Sequence, residues 1–311
     1  MSKLILAADS TRSIAESLPS DITVRWVSLG DPLSDPDAGV VVCLLTQSFG
    51  PAEFDALPSL KAVCNVATGY DNVDLAEAAR RNIVVTNTPD VLTESTADLT
   101  MALILGVARR VKEGINLIES GAWRGWDPIL LLGLELNGST LGIVGAGRIG
   151  RAVAQRAAAF GMKVVYWSRS NNQALEAETG AQRLELNELV GVADVISIHL
   201  PLTTDTRGLI GKRELARMKD HAVLVNTSRG GIVDEAALVA TLASGKLLGV
   251  GLDVFENEPR VRRELIDHPK ILALPHVGSA TVRTRRKMVR IAFENAVAVL
   301  QGRPPLTPVR R

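Results

Sequence analysis

The segment Leu141–Gly150, LGIVGAGRIG, constrains the fold of this 311-residue chain more than any other stretch. Leu141, Ile143 and Val144 read as a short apolar strand covered on both faces. Gly145, Gly147 and Gly150 follow with G-x-G-x-x-G spacing, and the alanine-rich run Ile149–Phe160 is helical in character, with Gly161 as its stop. Strand, glycine turn and helix in that order suit a dinucleotide. One glycine makes the tight turn, one lets backbone approach a pyrophosphate, and one allows close helix–sheet packing. The helix start at Arg148, Ile149 and Gly150 then offers N–H groups and a positive dipole end to the phosphates.

The next strand, Lys163–Trp167, indicates which dinucleotide. Its C-terminal end is where an acid would hold the adenosine ribose 2′-OH. Here Ser168, Arg169 and Ser170 follow, with no acid before Glu176. A carboxylate repels a 2′-phosphate, whereas a guanidinium flanked by hydroxyls binds one, so NADP(H) is expected to be preferred and NAD(H) possible. The alternative is that Arg169 is an ordinary solvated arginine.

Bulk properties exclude several classes. The formal charge is +1, which gives no field for nucleic acid or an anionic membrane. The N-terminal MSKLILAAD meets an acid after a few apolar residues and reads as a first strand, not a signal peptide. No uncharged apolar run approaches the ~18–20 residues of a membrane span. Cys43 and Cys64 sit in apolar strand-like runs without metal-ligand spacing, and are expected as buried thiols in a cytoplasmic protein.

Short apolar runs alternate with polar or helical pieces along the first part. Strands are expected at Leu4–Ala7, Thr23–Val27, Val40–Leu45, Ala62–Val66 and Ile83–Thr86, with helices near Thr11–Leu18 and Asp74–Arg80. A long helix begins near Thr93. Beyond the glycine segment, strands fall at Val195–Ile198, Ala222–Val225, Gly249–Val254 and Ile271–Leu274, and a last helix at Thr281–Leu300. Such alternation predicts an α/β chain with doubly wound parallel sheets covered by helices on both faces. The nucleotide unit is expected as an insertion between a first α/β unit and a final helix that packs back upon it, leaving the substrate domain discontinuous.

Three polar residues each stand just past the C-terminal end of an apolar strand: Arg229, Glu258 and His276. In an open parallel sheet, ligands bind outside those ends, so the three converge where a nicotinamide would lie. Hydride transfer to a 2-oxo acid fits them. Arg229 can grip carboxylate and keto oxygen with its planar fork. His276 is the natural general acid, and Glu258 would accept from its other ring nitrogen. His221 and His268 are expected to be solvated, and His199 to be a pocket wall or cap.

At these residues the chain resembles the D-specific 2-hydroxyacid dehydrogenase family. The resemblance runs through VATGYDNVD (Val66–Asp74), LTESTADLTMALIL (Leu92–Leu105), GIVGAGRIG, HLPLTTDTRGLI (His199–Ile210), NTSRGGIVDE (Asn226–Glu235), GLDVFENEP (Gly251–Pro259) and LPHVGSAT (Leu274–Thr281). It implies a flavodoxin-like substrate domain, residues 1–97 and 283–311, and a Rossmann NAD(P)-binding domain, residues 98–282. Arg229, Glu258 and His276 become the catalytic set. Thr68 and Gly69 would hold the substrate carboxylate through backbone N–H groups, and Thr68, where many relatives carry valine, would add a hydroxyl near the substrate. Asp253 and Thr227 would orient the nicotinamide carboxamide, and Thr96, Pro201, Thr206 and Gly278 would line the cofactor. The Trp123–Trp126 loop resembles the family's dimer interface, the alternative being core tryptophans within one subunit. Within the family, Ser168–Ser170 resembles the NADPH-using glyoxylate and hydroxypyruvate reductases. A homodimer acting on small 2-oxo acids, with no nucleic-acid or membrane partner, is the expectation. A dehydrogenase for a bulkier 2-oxo acid, such as 2-ketogluconate or phenylpyruvate, and a non-catalytic dinucleotide sensor of the corepressor type are the alternatives.

Overall fold

A computed structural model describes residues 3–15, 18–28 and 30–309. The chain divides into two compact units, one formed by residues 1–92 with 279–311, the other by the inserted residues Thr93–Gly278.

The first unit is built on five parallel strands, β1 (Leu4–Ala8), β2 (Thr23–Val27), β3 (Ala38–Cys43), β4 (Ala62–Asn65) and β5 (Val84–Thr86), in the order β2-β1-β3-β4-β5. Strands β1, β3 and β4 are buried on both faces, which is why their sequences are continuous apolar runs rather than alternating ones. The edge strand β2 is only half covered. One face of the sheet packs Leu6, Val41 and Val63 against Phe54 and Ala78 of the short helices Pro51–Asp55 and Leu75–Arg80. The other packs Ile5, Val40 and Ala62 against Met288, Ala292 and Phe293 of the long helix Val282–Leu300. Burying each such side chain stabilises the unit by roughly 1.5–3 kcal/mol. The final helix thus closes the first unit's core, as its apolar spacing requires. Cys43 and Cys64 lie within these two faces as free, buried thiols, and burial pushes the Cys64 thiol up to about 12.

The segment expected as a helix at Thr11–Leu18 is instead a 3-10 turn, Asp9–Ile14, and Glu16 and Ser17 lie outside the described residues. A regular helix there would need a longer apolar stripe than Thr11 and Ile14 supply.

The second unit carries seven parallel strands: β6 (Thr140–Val144), β7 (Lys163–Trp167), β8 (Gln182–Arg183), β9 (Val195–Ile198), β10 (Val223–Asn226), β11 (Gly249–Leu252) and β12 (Ile271–Ala273). Their order is β12-β11-β10-β9-β6-β7-β8. The chain leaves β6 towards β7 on one side and returns to β9 on the other, so the strand order reverses at β6. A ligand crevice opens outside the strand ends at such a reversal. Helices Thr93–Ala108 and Arg148–Ala159 pack together on one face, the first also covering β10 and β11. Both sheets are doubly wound, the arrangement the strand–helix alternation predicts. Among the described residues no helix is long and apolar enough to cross a membrane.

Candidate active site

Strand β6 ends at Val144 and a helix starts at Arg148, so the chain reverses direction within Gly145–Gly147. Gly145 adopts φ +105°, and a Cβ on it would lie 2.6 Å from the His199 carbonyl oxygen. A Cβ on Gly150 would meet the Gly145 carbonyl oxygen at 2.2 Å, so helix and turn are in backbone contact. Gly147 has the opposite surroundings, with nothing within 4 Å of the position its Cβ would take. It is also the N-cap of Arg148–Ala159, and no side chain caps that helix. An uncapped helix start facing open space that a Cβ would enter fits a pyrophosphate. The Asn172 amide, unremarked in the sequence, braces the turn by donating to the Ala146 carbonyl at 2.8 Å.

The end of β7 lies beside this turn, because Gly145 N–H donates to the Trp167 carbonyl at 2.9 Å. Ser168 Oγ donates to the Ser170 carbonyl at 2.5 Å and closes a tight bend with Arg169 exposed on it. Glu176, the first acid downstream, accepts a hydrogen bond from the Tyr166 phenol.

The ends of β10, β11 and β12 carry the polar groups. Buried Asn226 shapes the turn after β10: its Oδ1 accepts from Ser228 N–H (3.0 Å) and Oγ–H (2.9 Å), and its Nδ2 donates to the Arg229 carbonyl (2.8 Å). Glu258 is held at both oxygens. Oε1 accepts from Phe255 N–H at 2.9 Å, and Oε2 lies 2.7 Å from His276 Nδ1. The two side chains keep 33 % (His276) and 30 % (Glu258) of their exposure, so a solute can reach them. Burial raises the Glu258 carboxyl, but the hydrogen bond and charge of His276, the Phe255 N–H and the Arg229 charge outweigh it, leaving the group below the usual carboxylate range. An ionised carboxylate only accepts, so Nδ1 of His276 carries a proton and Nε2 is left for a reacting group. Arg229, Glu258 and His276 therefore share one electrostatic environment.

His276 itself adopts φ +54°, a left-handed conformation unusual for a non-glycine residue. Asp253, at the end of β11, fixes the backbone that follows it, with Oδ1 accepting from Val277 N–H at 2.7 Å and Oδ2 from Gly278 N–H at 2.8 Å. Gly278 packs close to Thr96, whose Oγ1 would lie 3.3 Å from a Cβ there. The Thr96 carbonyl accepts from Thr100 Oγ1 at 2.8 Å, and Thr100 Oγ1 is 2.9 Å from Thr227 Oγ1. The structure thus brings Thr96, Thr227, Asp253 and Gly278 together, with Thr100 as an unforeseen link. Pro201 and Thr206 lie beyond β9, joined by a 2.7 Å bond from Thr206 Oγ1 to the Pro201 carbonyl.

Two loops of this site are interlocked. Gly230, beside Arg229, approaches so closely that a Cβ would lie 1.9 Å from the Phe255 carbonyl carbon. Glu235 Oε1 accepts from Glu256 N–H at 2.7 Å, and Glu256 Oε1 accepts from Glu235 N–H at 3.2 Å. A reciprocal contact of two acids through backbone has no signature in spacing.

The other histidines lie elsewhere. His221 is exposed, and half-buried His268 accepts from Lys270 N–H at 3.2 Å through Nδ1. His199 follows β9, with Nε2 2.8 Å from Ser197 Oγ and a buried Nδ1 that has no partner among the described residues. Burial holds it at about 3, so the ring is neutral.

Thr68 and Gly69 lie in the first unit, on the loop after β4. The Thr68 hydroxyl, expected near the substrate, donates to the Thr88 carbonyl at 2.9 Å. The Gly69 carbonyl accepts from Asn65 Nδ2 at 3.0 Å. Trp123 and Trp126 are 52 % and 85 % exposed, which overturns their reading as core residues of one subunit.

The family model for the NAD binding domain of D-isomer specific 2-hydroxyacid dehydrogenases matches residues 101–278. The glyoxylate reductase of Aeropyrum pernix is 46 % identical over 280 residues, covering 88 % of this chain and 84 % of that one. The glyoxylate reductase of Thermococcus litoralis is 45 % identical over 273 residues, 86 % of this chain and 82 % of its own. Among solved structures, the NADPH-dependent glyoxylate/hydroxypyruvate reductase of Sinorhizobium meliloti, in complex with NADP and malonate, superposes with a TM-score of 0.88. It shares 35 % identity and covers 100 % of this chain and 99 % of that chain.

Proposed function

Because the chain belongs to the D-isomer specific 2-hydroxyacid dehydrogenase family, we propose that it reduces small 2-oxo acids, glyoxylate and hydroxypyruvate foremost, to D-2-hydroxy acids with a nicotinamide cofactor. The observation that carries this reading is the 2.7 Å contact between His276 and Glu258 within the electrostatic reach of Arg229, at the carboxyl ends of neighbouring parallel strands.

Bound nicotinamide supplies the hydride. His276 holds a proton on Nε2 for the carbonyl oxygen as it becomes an alkoxide, a contribution of about 10²–10⁴-fold for a positioned general acid. Glu258 fixes the ring through its contact with Nδ1. Arg229 binds the carboxylate and polarises the keto oxygen. Gly145, Gly147, Arg148, Ile149 and Gly150 would hold the pyrophosphate; Thr96, Pro201, Thr206, Thr227, Asp253 and Gly278 would line the nicotinamide half. Thr68 and Gly69 are assigned to the substrate carboxylate by the family resemblance. The three catalytic residues and the glycine cradle together argue against a non-catalytic sensor.

The bend Ser168–Arg169–Ser170, with no carboxylate at the ribose position, favours NADPH over NADH. We read the protein as a homodimer. The helix Val111–Glu119 and the loop after it expose Ile115, Ile118, Trp123, Trp126, Ile129 and Leu132, and a cluster of large apolar side chains left to solvent is a mark of an interaction surface. A second copy of the same chain is the occupant proposed. The two free thiols support a reducing, cytoplasmic location.

The test is steady-state oxidation of NADPH and NADH with glyoxylate, hydroxypyruvate, phenylpyruvate and 2-ketogluconate. Highest kcat/KM with NADPH and the two small acids is expected. Fastest turnover of a bulky acid would reassign the substrate, and cofactor binding without turnover of any acid would leave the sensor reading standing.

A further inference from the structure

We propose that Arg183 is a second cationic ligand for the adenosine 2′-phosphate, acting beside Arg169. The inference rests on the NADPH reading above and extends it to a residue fourteen positions away, on another strand.

The two-residue strand β8 pairs with β7, with Arg183 opposite Tyr166, and Leu184 N–H donates to the Tyr166 carbonyl at 2.9 Å. This register fixes Arg183 beside the end of β7. Its Nε donates to the Ser168 carbonyl at 3.0 Å, at the base of the bend that carries Arg169. An exposed carbonyl oxygen has the wrong polarity for an anion, and Arg183 covers that oxygen. The bond uses one of the five guanidinium N–H groups and leaves the terminal ones for a further acceptor.

The pairing of nearby arginines makes Arg183 distinctive. Arg151 is bound to Glu178, and Arg156 to Glu94 and Asp98, so their charges are neutralised within the unit. Arg183 makes no ion pair among the described residues, and Glu176, the first acid after the bend, is engaged by Tyr166. A cation anchored through Nε to main chain, uncompensated, beside a bend of two serines and another arginine, matches a phosphomonoester of about −2 charge.

The experiment measures affinity for two probes, adenosine 2′,5′-bisphosphate and adenosine 5′-monophosphate, by calorimetric titration of the full chain. Wild type is compared with Arg169→Ala and Arg183→Ala. Arg183→Ala is expected to bind the bisphosphate about tenfold more weakly with the monophosphate unchanged, and its bisphosphate affinity should fall less steeply with added salt. Equal losses for both probes would make Arg183 only a support for the bend and overturn the inference. So would an unaltered preference in Arg183→Ala when wild type and Arg169→Ala differ, which would leave the NADPH reading intact. A wild-type protein that does not distinguish the probes would remove that reading itself, and the inference with it.

Discussion

Asp253 accepts the Gly278 N–H at 2.8 Å while its other oxygen takes the Val277 N–H at 2.7 Å, so one buried acid fixes the chain directly after His276. Burial raises the Asp253 carboxyl further than the two amides and the His276 charge lower it. Asp253→Asn keeps one acceptor and turns an NH2 group towards the other amide. Leaving a buried N–H unpaired costs about 1–3 kcal/mol. Urea unfolding is expected to show that loss, with a fall in kcat exceeding any rise in KM. Unchanged stability and turnover would mean that the clamp does not position His276.

His276→Ala should lower kcat for reduction by about 10²–10⁴-fold while leaving NADPH binding, read by fluorescence titration, near wild type. Glu258→Gln replaces the carboxylate that holds His276 Nδ1 at 2.7 Å with an amide that can turn a donor towards it. Turnover is expected to fall with NADPH binding near wild type. Unchanged kcat would separate Glu258 from the positioning of the ring.

Gly150→Ala places a methyl group 2.2 Å from the Gly145 carbonyl oxygen. The helix must shift, at about 1–3 kcal/mol for an overpacked position. Circular dichroism should keep its native form while NADPH affinity falls at least tenfold. Native affinity in this variant would show that the turn tolerates a displacement that its geometry does not suggest.

Trp126→Glu, alone or with Ile129→Glu, introduces charge into the exposed apolar patch. Light scattering after gel filtration should give twice the mass of one chain for wild type and a single chain for the variant. A wild-type monomer would dispose of the dimer.

His199 supplies a stability prediction. Burial holds its folded pKa at about 3, against 6.5 when unfolded, so unfolding takes up a proton between those values. The contribution is present in full above pH 6.5 and is lost as pH falls towards 3. Between pH 6.5 and 5 the expected loss is on the order of 1–2 kcal/mol. Denaturant titrations at both pH values should show His199→Gln losing less than wild type over that interval. Parallel losses would place the acid sensitivity elsewhere.

The parts legible in sequence are those where one physical demand acts on consecutive residues. Continuous burial makes β1, β3, β4, β9 and β10 apolar runs, and a backbone contact makes Gly145 and Gly150 obligatory. Arg229, Glu258 and His276 stand out because each polar side chain ends such a run. Strand β8 is two exposed polar residues, so nothing local marks it, and Arg183 was hidden with it. Thr100 looks like one more threonine in an apolar helix, and its link to Thr227 spans 127 positions. Asn226 and the Glu235–Glu256 pair act through backbone groups that every residue possesses, which gives their side chains no recognisable pattern. The bond of the Thr68 hydroxyl to the Thr88 carbonyl spans twenty positions, so nothing beside Thr68 in the chain announces it.

The contact of Gly230 with the Phe255 carbonyl carries a consequence for how this pocket can change. The loop that carries Arg229 and the loop that leads to Glu258 abut main chain to main chain, with no side chain between them to absorb a shift. Widening one displaces the other. Altered substrate size has to be written into both loops together, and paired substitutions flanking Gly230 and Phe255 are the expected mark of relatives that accept larger acids.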